Sequence, residues 1–444
     1  MRVLFVSCLN KSQLYLLAPL AWSMQTAGHE VRVASHPDLA EHIAGLGLMP
    51  VPVGEPATHL GQDLADAEPD EEPAPASDAP AALRPTSRQS DYAREDPYAE
   101  YVSLATEFFP LLSPDSTFDD LVGFARRWQP DLVIWNTLSF AGAVAARACG
   151  AAHARFLWGV DSLGQLHSAV APELADRHDP MRAWLEPILQ RHGCEFDQEA
   201  VLGQWTIDPS PDWVHHPKGI HHLAVRPVAF NGPVQSPDWV YDPPERRRVC
   251  LTLGFSHRES HGIEASAAEL LEAVADIDAE VVATFSAKQL DALTTVPDNV
   301  RLVDFVPLTT LLPTCSAIVH HGGPGTFITA VEHGVPQLIV PGTYWSEKWW
   351  APVAHANGLE DEGAGLYVAD SDQVTAELLR GQLLRVLDDP SFAANAARLR
   401  DRRLGTPSPN EIVPLLERLT ARHRAARPEA GRPPRTKPLS EATK

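Results

Sequence analysis

The sequence predicts an α/β protein made of two doubly wound, Rossmann-like domains facing a cleft. Three observations predict it. The chain has 444 residues, enough for two domains of ordinary size. Both halves alternate short apolar runs with longer amphipathic ones, the rhythm of strands joined by crossover helices. The stretch Ser316-Ala-Ile-Val-His-His-Gly-Gly-Pro-Gly-Thr326 reads as a buried strand, a tight turn and a helix start.

In chain order, Val3-Leu-Phe-Val6 is a strand, and Leu14 to Thr26 a helix with Leu17, Leu20, Ala21 and Met24 on one face. Gly28 ends that helix and Val31-Arg-Val-Ala34 is the second strand, so the pair is parallel. From residue 55 to 96 prolines, alanines and acids dominate. Such a segment buries too little apolar surface to order itself, and we read it as a mobile insertion or solvated linker in the first domain, residues 1–230. Leu132-Val-Ile-Trp135 is a buried strand and Ala141 to Cys149 a small-residue helix. Residues 231–248, rich in Pro, Asp and Arg, form the linker. The second domain, 249–420, opens with strand Val249 to Leu253 and turn Gly254-Phe-Ser256. An acidic helix from Glu264 to Ala275 and strands Val281 to Phe285, Leu302-Val303, Ile318-Val319 and Leu338 to Val340 continue the rhythm. Ile412 to His423 is the last helix, and residues 421–444 run into a disordered tail.

Composition excludes several classes. A net charge of −22 argues against nucleic acid, which is held by many Lys and Arg contacts to phosphate. The same charge repels an anionic ligand at long range, so an anion site must supply its own local attraction. No run approaches the ~20 apolar residues that cross a bilayer. The N-terminus has the pattern of a strand rather than a signal peptide, and five widely spaced cysteines suggest neither a disulfide framework nor a zinc site, so a cytoplasmic setting is expected.

The Gly-rich turn is the best candidate site. Gly322, Gly323 and Gly325 allow a sharp turn and close approach to a ligand, and Thr326 stands at the predicted helix start. A helix N-terminus offers free N–H groups to a phosphate or diphosphate, and His320 and His321 add donors. A purely structural corner is the alternative. His215-His-Pro-Lys-Gly-Ile-His-His222 fits no established metal signature and reads as a solvated loop.

Together with this turn, Lys11-Ser-Gln-Leu-Tyr-Leu-Leu-Ala-Pro-Leu-Ala-Trp22, Ala27 to Val33, Arg127 to Trp135, Ala154-Arg-Phe-Leu-Trp-Gly-Val-Asp161, Gly203 to Pro209, Arg246 to Gly254 and Arg385 to Pro390 carry a resemblance. The chain up to about Leu419 resembles the nucleotide-sugar glycosyltransferases of GT-B architecture, in particular the deoxysugar transferases of macrolide and anthracycline biosynthesis. The resemblance implies an inverting transfer from a thymidine-diphosphate deoxysugar to a polyketide-type aglycone, without a divalent metal or other cofactor. It also implies a helper protein for full activity. The acceptor would enter the N-terminal domain and the donor the C-terminal one.

For the donor, the resemblance implies contacts from His321, Gly322, Gly323, Gly325 and Thr326 to the diphosphate, and from Gly254, Ser256, Phe305 and Val306 to the nucleoside. Phe305 read alone serves equally as a core residue. Relatives carry an Asp in the sugar loop. Here the loop is Pro341-Gly-Thr-Tyr-Trp-Ser-Glu-Lys-Trp-Trp350, where Glu347 is the substitute and Trp345, Trp349 and Trp350 either stack on substrate or pack the loop. The acceptor side departs from the pattern. Gln13 stands where relatives place a histidine base, and Asn136 where many place an orienting acid. Neither accepts a proton. Asp161 is the remaining carboxylate near the cleft, with helix cap as its structural alternative, and His167 is a further candidate. Loss of the usual base keeps a second class open: a nucleotide-binding, non-catalytic partner of another transferase. Transfer to an aromatic carbon or acidic phenol is a third possibility.

Overall fold

The computed structural model describes residues 1–7, 11–56, 96–214, 216–252, 267–285, 295–342, 351–371 and 373–424. Most of the 55–96 stretch, the Gly254–Ser256 turn, the loop bearing Glu347 and its three tryptophans, and the tail beyond residue 424 therefore lie outside the described residues.

Two parallel sheets organise the chain. The first has seven strands: β1 (Arg2–Val6), β2 (Glu30–Ser35), β3 (Pro50–Pro52), β4 (Leu132–Asn136), β5 (Ala152–Phe156), β6 (Trp205–Asp208) and β7 (His222–Ala224), in spatial order β3-β2-β1-β4-β5-β6-β7. The second has six: β8 (Arg248–Thr252), β9 (Glu280–Thr284), β10 (Val300–Val303), β11 (Ala317–His320), β12 (Gln337–Ile339) and β13 (Gly365–Tyr367), in order β10-β9-β8-β11-β12-β13. In each sheet the order reverses direction once, between β1 and β4 and between β8 and β11. At such switch points the loops leaving neighbouring strands diverge and open a crevice at the strand C-termini.

The strands read as apolar runs because both faces are covered. In β4 alternate side chains enter opposite cores, Val133 and Trp135 one, Leu132 and Ile134 the other. Helix α1 (Lys11–Thr26) starts at Lys11, three residues before the apolar periodicity at Leu14, which places Gln13 in its first turn. Helix α2 (Ala141–Cys149) needs its small residues. A Cβ on Gly142 would lie 2.4 Å from the Trp135 Cβ, so the helix rests directly on β4. Helix α3 (Ser162–Val170) follows β5. Helices α4 (Pro324–His333), α5 (Ala351–Asp361) and α6 (Pro390–Leu404) belong to the second half. The last helix, α7 (Pro409–His423), returns to the first sheet: Ile412, Val413, Leu416 and Leu419 pack with α1, β1 and β2. Strand β8 begins at Arg248, the last residue of the expected linker. Its guanidinium pairs with Glu280 at 2.9 Å and donates to the Thr314 hydroxyl at 2.8 Å, so the charge is satisfied within the sheet.

Candidate active site

The Gly-rich turn follows β11, beside β8, at the switch point of the second sheet. Two buried histidines clamp it. His320 Nδ1 accepts the Gly322 N–H at 3.1 Å, and its Nε2–H donates to Gln337 Oε1 at 2.9 Å. His355, on α5, donates from Nδ1 to the Gly322 carbonyl at 2.9 Å and stacks flat on Phe327, ring centroids 3.9 Å apart. Burial pushes His320 down to about 3 and His355 to about 4, so both rings are neutral. Gly322 itself has φ +87°, and a Cβ there would fall 2.7 Å from Pro352 Cβ. The turn is thus fixed by a left-handed glycine whose N–H and C=O are both held.

This geometry revises the expected roles. Helix α4 starts at Pro324, not Thr326, with Gly323 as N-cap. Pro324 has no N–H to leave unpaired, and the Phe327 N–H already reaches the Gly323 carbonyl at 3.0 Å. The first-turn N–H groups of Gly325 and Thr326 have no helical acceptor. The Cβ position of Gly325 meets open space. Gly323 has an ordinary φ of −59°, and its Cβ would meet only the far end of the His321 ring, 2.5 Å from Nε2. His320, expected as a donor to ligand, is instead spent inside the protein. His321 is half-buried beside the turn, and Phe305 is half-buried just past β10. Val306 is in the core with Leu311 and Ile318, so its side chain does not face a ligand.

The histidine clamp also makes a pH prediction. Unfolding restores ordinary histidine values, so the unfolded chain binds more protons below pH 6.5. Stability from these rings is present above that pH and is lost as pH falls, by about 1.4 kcal/mol per ring per pH unit until each titrates in the fold. Urea unfolding at pH 7 and pH 5 checks this. His355→Leu should reduce the difference while costing about 1–3 kcal/mol at pH 7, because the Gly322 carbonyl loses its donor.

On the other side, Gln13 follows β1 and Asn136 ends β4, so the two expected acceptor-side residues meet at the first sheet's switch point. Both are buried, and Asn136 Oδ1 accepts the Leu138 N–H at 3.1 Å. Asp161 is the N-cap of α3, its side chain fully buried. Oδ1 accepts the Gly164 N–H at 2.9 Å, and Oδ2 takes Arg155 at 2.5 Å and His222 at 3.3 Å. Burial opposes ionisation, but Arg155, His222 and the Gly164 N–H outweigh it and hold Asp161 below the ordinary carboxylate range. His167, also on α3, bonds the Tyr101 hydroxyl through Nδ1 at 3.0 Å. His216 and His222, from the stretch read as a solvated loop, are turned onto Asp208 and Asp161. Among the described residues no group of three His, Cys, Asp or Glu side chains could hold a metal ion, and no described helix is long and apolar enough to cross a membrane.

The two halves meet at the turn. The Cβ position of Gly159, in the loop after β5, lies 2.8 Å from Pro324. Val160 and Val214 share a core with Phe327, against which Trp213 packs edge-on at 5.7 Å. Arg155, Asp208, His216 and His222 form the ion pairs around Asp161, and His355 holds the turn; the sequence assigned none of them a site role. His355 sits in a helix with no motif around it, and Arg155 and Asp208 lie inside strands, where apolar patterning gives no sign of a charge.

Comparison with known proteins agrees with this arrangement. Residues 22–254 match the N-terminal domain, and residues 268–419 the C-terminal domain, of the family described as erythromycin biosynthesis protein CIII-like. The chain is 49% identical to the aclacinomycin-T 2-deoxy-L-fucose transferase of Streptomyces galilaeus, over 97% of this chain and 99% of that one. It is 42% identical to the 3-alpha-mycarosylerythronolide B desosaminyl transferase of Saccharopolyspora erythraea, over 96% and 100%. Its fold is similar to that of the glycosyltransferase VinC in complex with dTDP, with TM-score 0.81 and 39% identity over 95% of this chain and 100% of that one. The chain therefore belongs to the erythromycin biosynthesis protein CIII-like family, and is a nucleotide-sugar glycosyltransferase of GT-B architecture.

Proposed function

We propose that this chain moves a deoxysugar, with inversion, from a thymidine-diphosphate donor to a polyketide-type aglycone in antibiotic biosynthesis. The observation that carries it is the clamped turn at the second switch point, where the Gly325 and Thr326 N–H groups of the first helical turn have no helical acceptor and the Gly325 Cβ position meets open space. The names of relatives supply the chemical class: one is an aclacinomycin-T 2-deoxy-L-fucose transferase, another a 3-alpha-mycarosylerythronolide B desosaminyl transferase. As the acceptor oxygen bonds the sugar's anomeric carbon, the bond to the diphosphate breaks and charge gathers on the departing phosphate. Donors fixed at a helix N-terminus stabilise that charge without reorganising. His321, half-buried beside Gly323, would add a contact.

The acceptor's proton is the open step. Glutamine and asparagine do not take it, and Asp161 is committed to Arg155, Gly164 and His222. We assign Asp161 to positioning, and the least demanding acceptor to an acidic hydroxyl such as a phenol. A helper protein is part of the reading. The non-catalytic partner remains as a second reading because of Gln13 and Asn136.

The test is product formation, followed by mass spectrometry, from a panel of thymidine-diphosphate deoxysugars with anthracycline and macrolide aglycones, with and without a helper. Glycoside is expected. Gln13→His should leave the fold intact and raise transfer to an aliphatic alcohol by about a hundredfold, the usual worth of a general base. Nucleotide binding with no product from either protein favours the partner reading.

A further inference from the structure

Behind the turn runs a chain of buried charge that the transfer itself does not use. Arg155 and the side chain of Asp161 are fully buried, and Asp208 is 2% exposed. Arg155 contacts Asp161, and also donates to the Thr206 hydroxyl at 3.0 Å. His222 Nε2 lies 3.3 Å from Asp161 Oδ2 and 4.0 Å from Asp208 Oδ2. His216 Nε2 pairs with the same Asp208 oxygen at 3.1 Å, its ring edge-on to His222. The side chain of His216 is 27% exposed, so it is the member that exchanges protons with water.

Of the two buried carboxylates, Asp161 contacts the fixed cation Arg155, whereas Asp208 contacts His216, His222 and the Ser210 N–H. Leaving the Asp208 charge uncompensated is costly, and the cheapest remedy is a proton on the adjoining His216 imidazole. Other charges face the group. Arg403, across the joint, donates to the carbonyls of Ser210, Pro209 and Val225, and its charge acts on Glu332 and on Asp208. Asp212 is paired with Arg402, and His167 lies beyond Asp161 on α3. In His216, burial works against protonation, but Asp208, a backbone hydrogen bond to Val214 and then Asp161 outweigh it and raise the imidazole above its ordinary value.

Both acids grip the loop that touches the phosphate turn. Asp161 ends it and caps α3. Asp208 accepts the Ser210 N–H at 2.8 Å, and the Ser210 hydroxyl donates to the Gly159 carbonyl at 3.0 Å. Gly159 lies against Pro324, the first residue of α4, and Val160 packs with Phe327. We propose that the chain Arg155–Asp161–His222–Asp208–His216 is a one-proton positioning device. It holds the Gly159–Asp161 loop against the donor-phosphate turn, and donor binding weakens when the proton leaves. The proposal rests on the donor site assigned above.

The sign follows from linkage. A histidine whose value is raised in the fold contributes fully below its unfolded value, and the contribution is lost as pH rises through the folded value. If the donor complex holds that proton more tightly than the free protein does, affinity for thymidine diphosphate falls as pH rises past the ordinary histidine range, by at most about tenfold per pH unit for one proton. Calorimetry from pH 6 to 9 tests this in the whole protein. Asp208→Asn removes one carboxylate, so the group is neutral without the proton; affinity should stay high and nearly flat above pH 7. His216→Gln removes the proton's outer site and should give weak binding at pH 6.5, with a reduced slope. The double variant Asp208→Asn/His216→Gln should bind as well as Asp208→Asn alone. Equal slopes above pH 7 in wild type and Asp208→Asn would overturn the proposal while leaving the donor site intact. No binding by wild type at any pH would instead refute the donor site.

Discussion

Gly322→Val should abolish thymidine-diphosphate binding. The residue sits at φ +87°, and its Cβ would press into Pro352 Cβ at 2.7 Å and Ile339 Cγ2 at 2.9 Å. The left-handed backbone costs an L-residue about 1–2 kcal/mol, and overpacking a closed site adds about 1–3 kcal/mol. Relief requires the turn to move, which breaks the bonds from His320 and His355 and carries the start of α4 away from its ligand. A hundredfold loss of affinity, about 2.7 kcal/mol, is the least expected. Gly325→Ala is the stability control. Its Cβ enters open space, so the unfolding midpoint should stay at the wild-type value or above it. A folded Gly322→Val protein that binds thymidine diphosphate normally would show that the turn does not hold the donor.

Arg155→Met should destabilise the first half strongly. It leaves Asp161 fully buried with only His222 and one N–H group as partners. Breaking a buried ion pair from one side costs about 3–5 kcal/mol, because the survivor's desolvation is no longer offset. Urea unfolding measures it. Asp161→Asn should cost a similar amount, since it strands Arg155, and any fall in transfer rate should come with that loss of stability. A rate lost in an Asp161→Asn protein of wild-type stability would restore the carboxylate as the base. The pH dependence has a definite sign. Asp161 is held below the ordinary carboxylate range, so its contribution is present above that range and is lost as pH falls through the folded value.

Much of the architecture was legible because parallel strands buried on both faces read as apolar runs. Val3 to Val6, Leu132 to Trp135 and Ala317 to Val319 are core strands for that reason. The site was legible only in part. Glycine positions mark a turn but do not say which glycine is indispensable. Gly322 is, through its φ and its packing against Pro352, whereas Gly323 merely adjoins a histidine ring. Adjacent histidines look alike in sequence, yet His320 points into the sheet toward Gln337 while His321 lies beside Gly323. Asp161 was read as either base or cap, and what fills its coordination comes from β5 and β7, separated in sequence by more than a whole strand–helix unit. No local pattern records such pairings, because they depend on strand order.

The most direct measurement is a crystal structure of the protein with thymidine diphosphate bound. The distal phosphate is expected within hydrogen-bonding distance of the Gly325 and Thr326 N–H groups, at the C-terminal ends of β8 and β11. A diphosphate found at the first sheet's switch point beside Gln13 and Asn136, or contacting neither Gly325 nor Thr326, would contradict it.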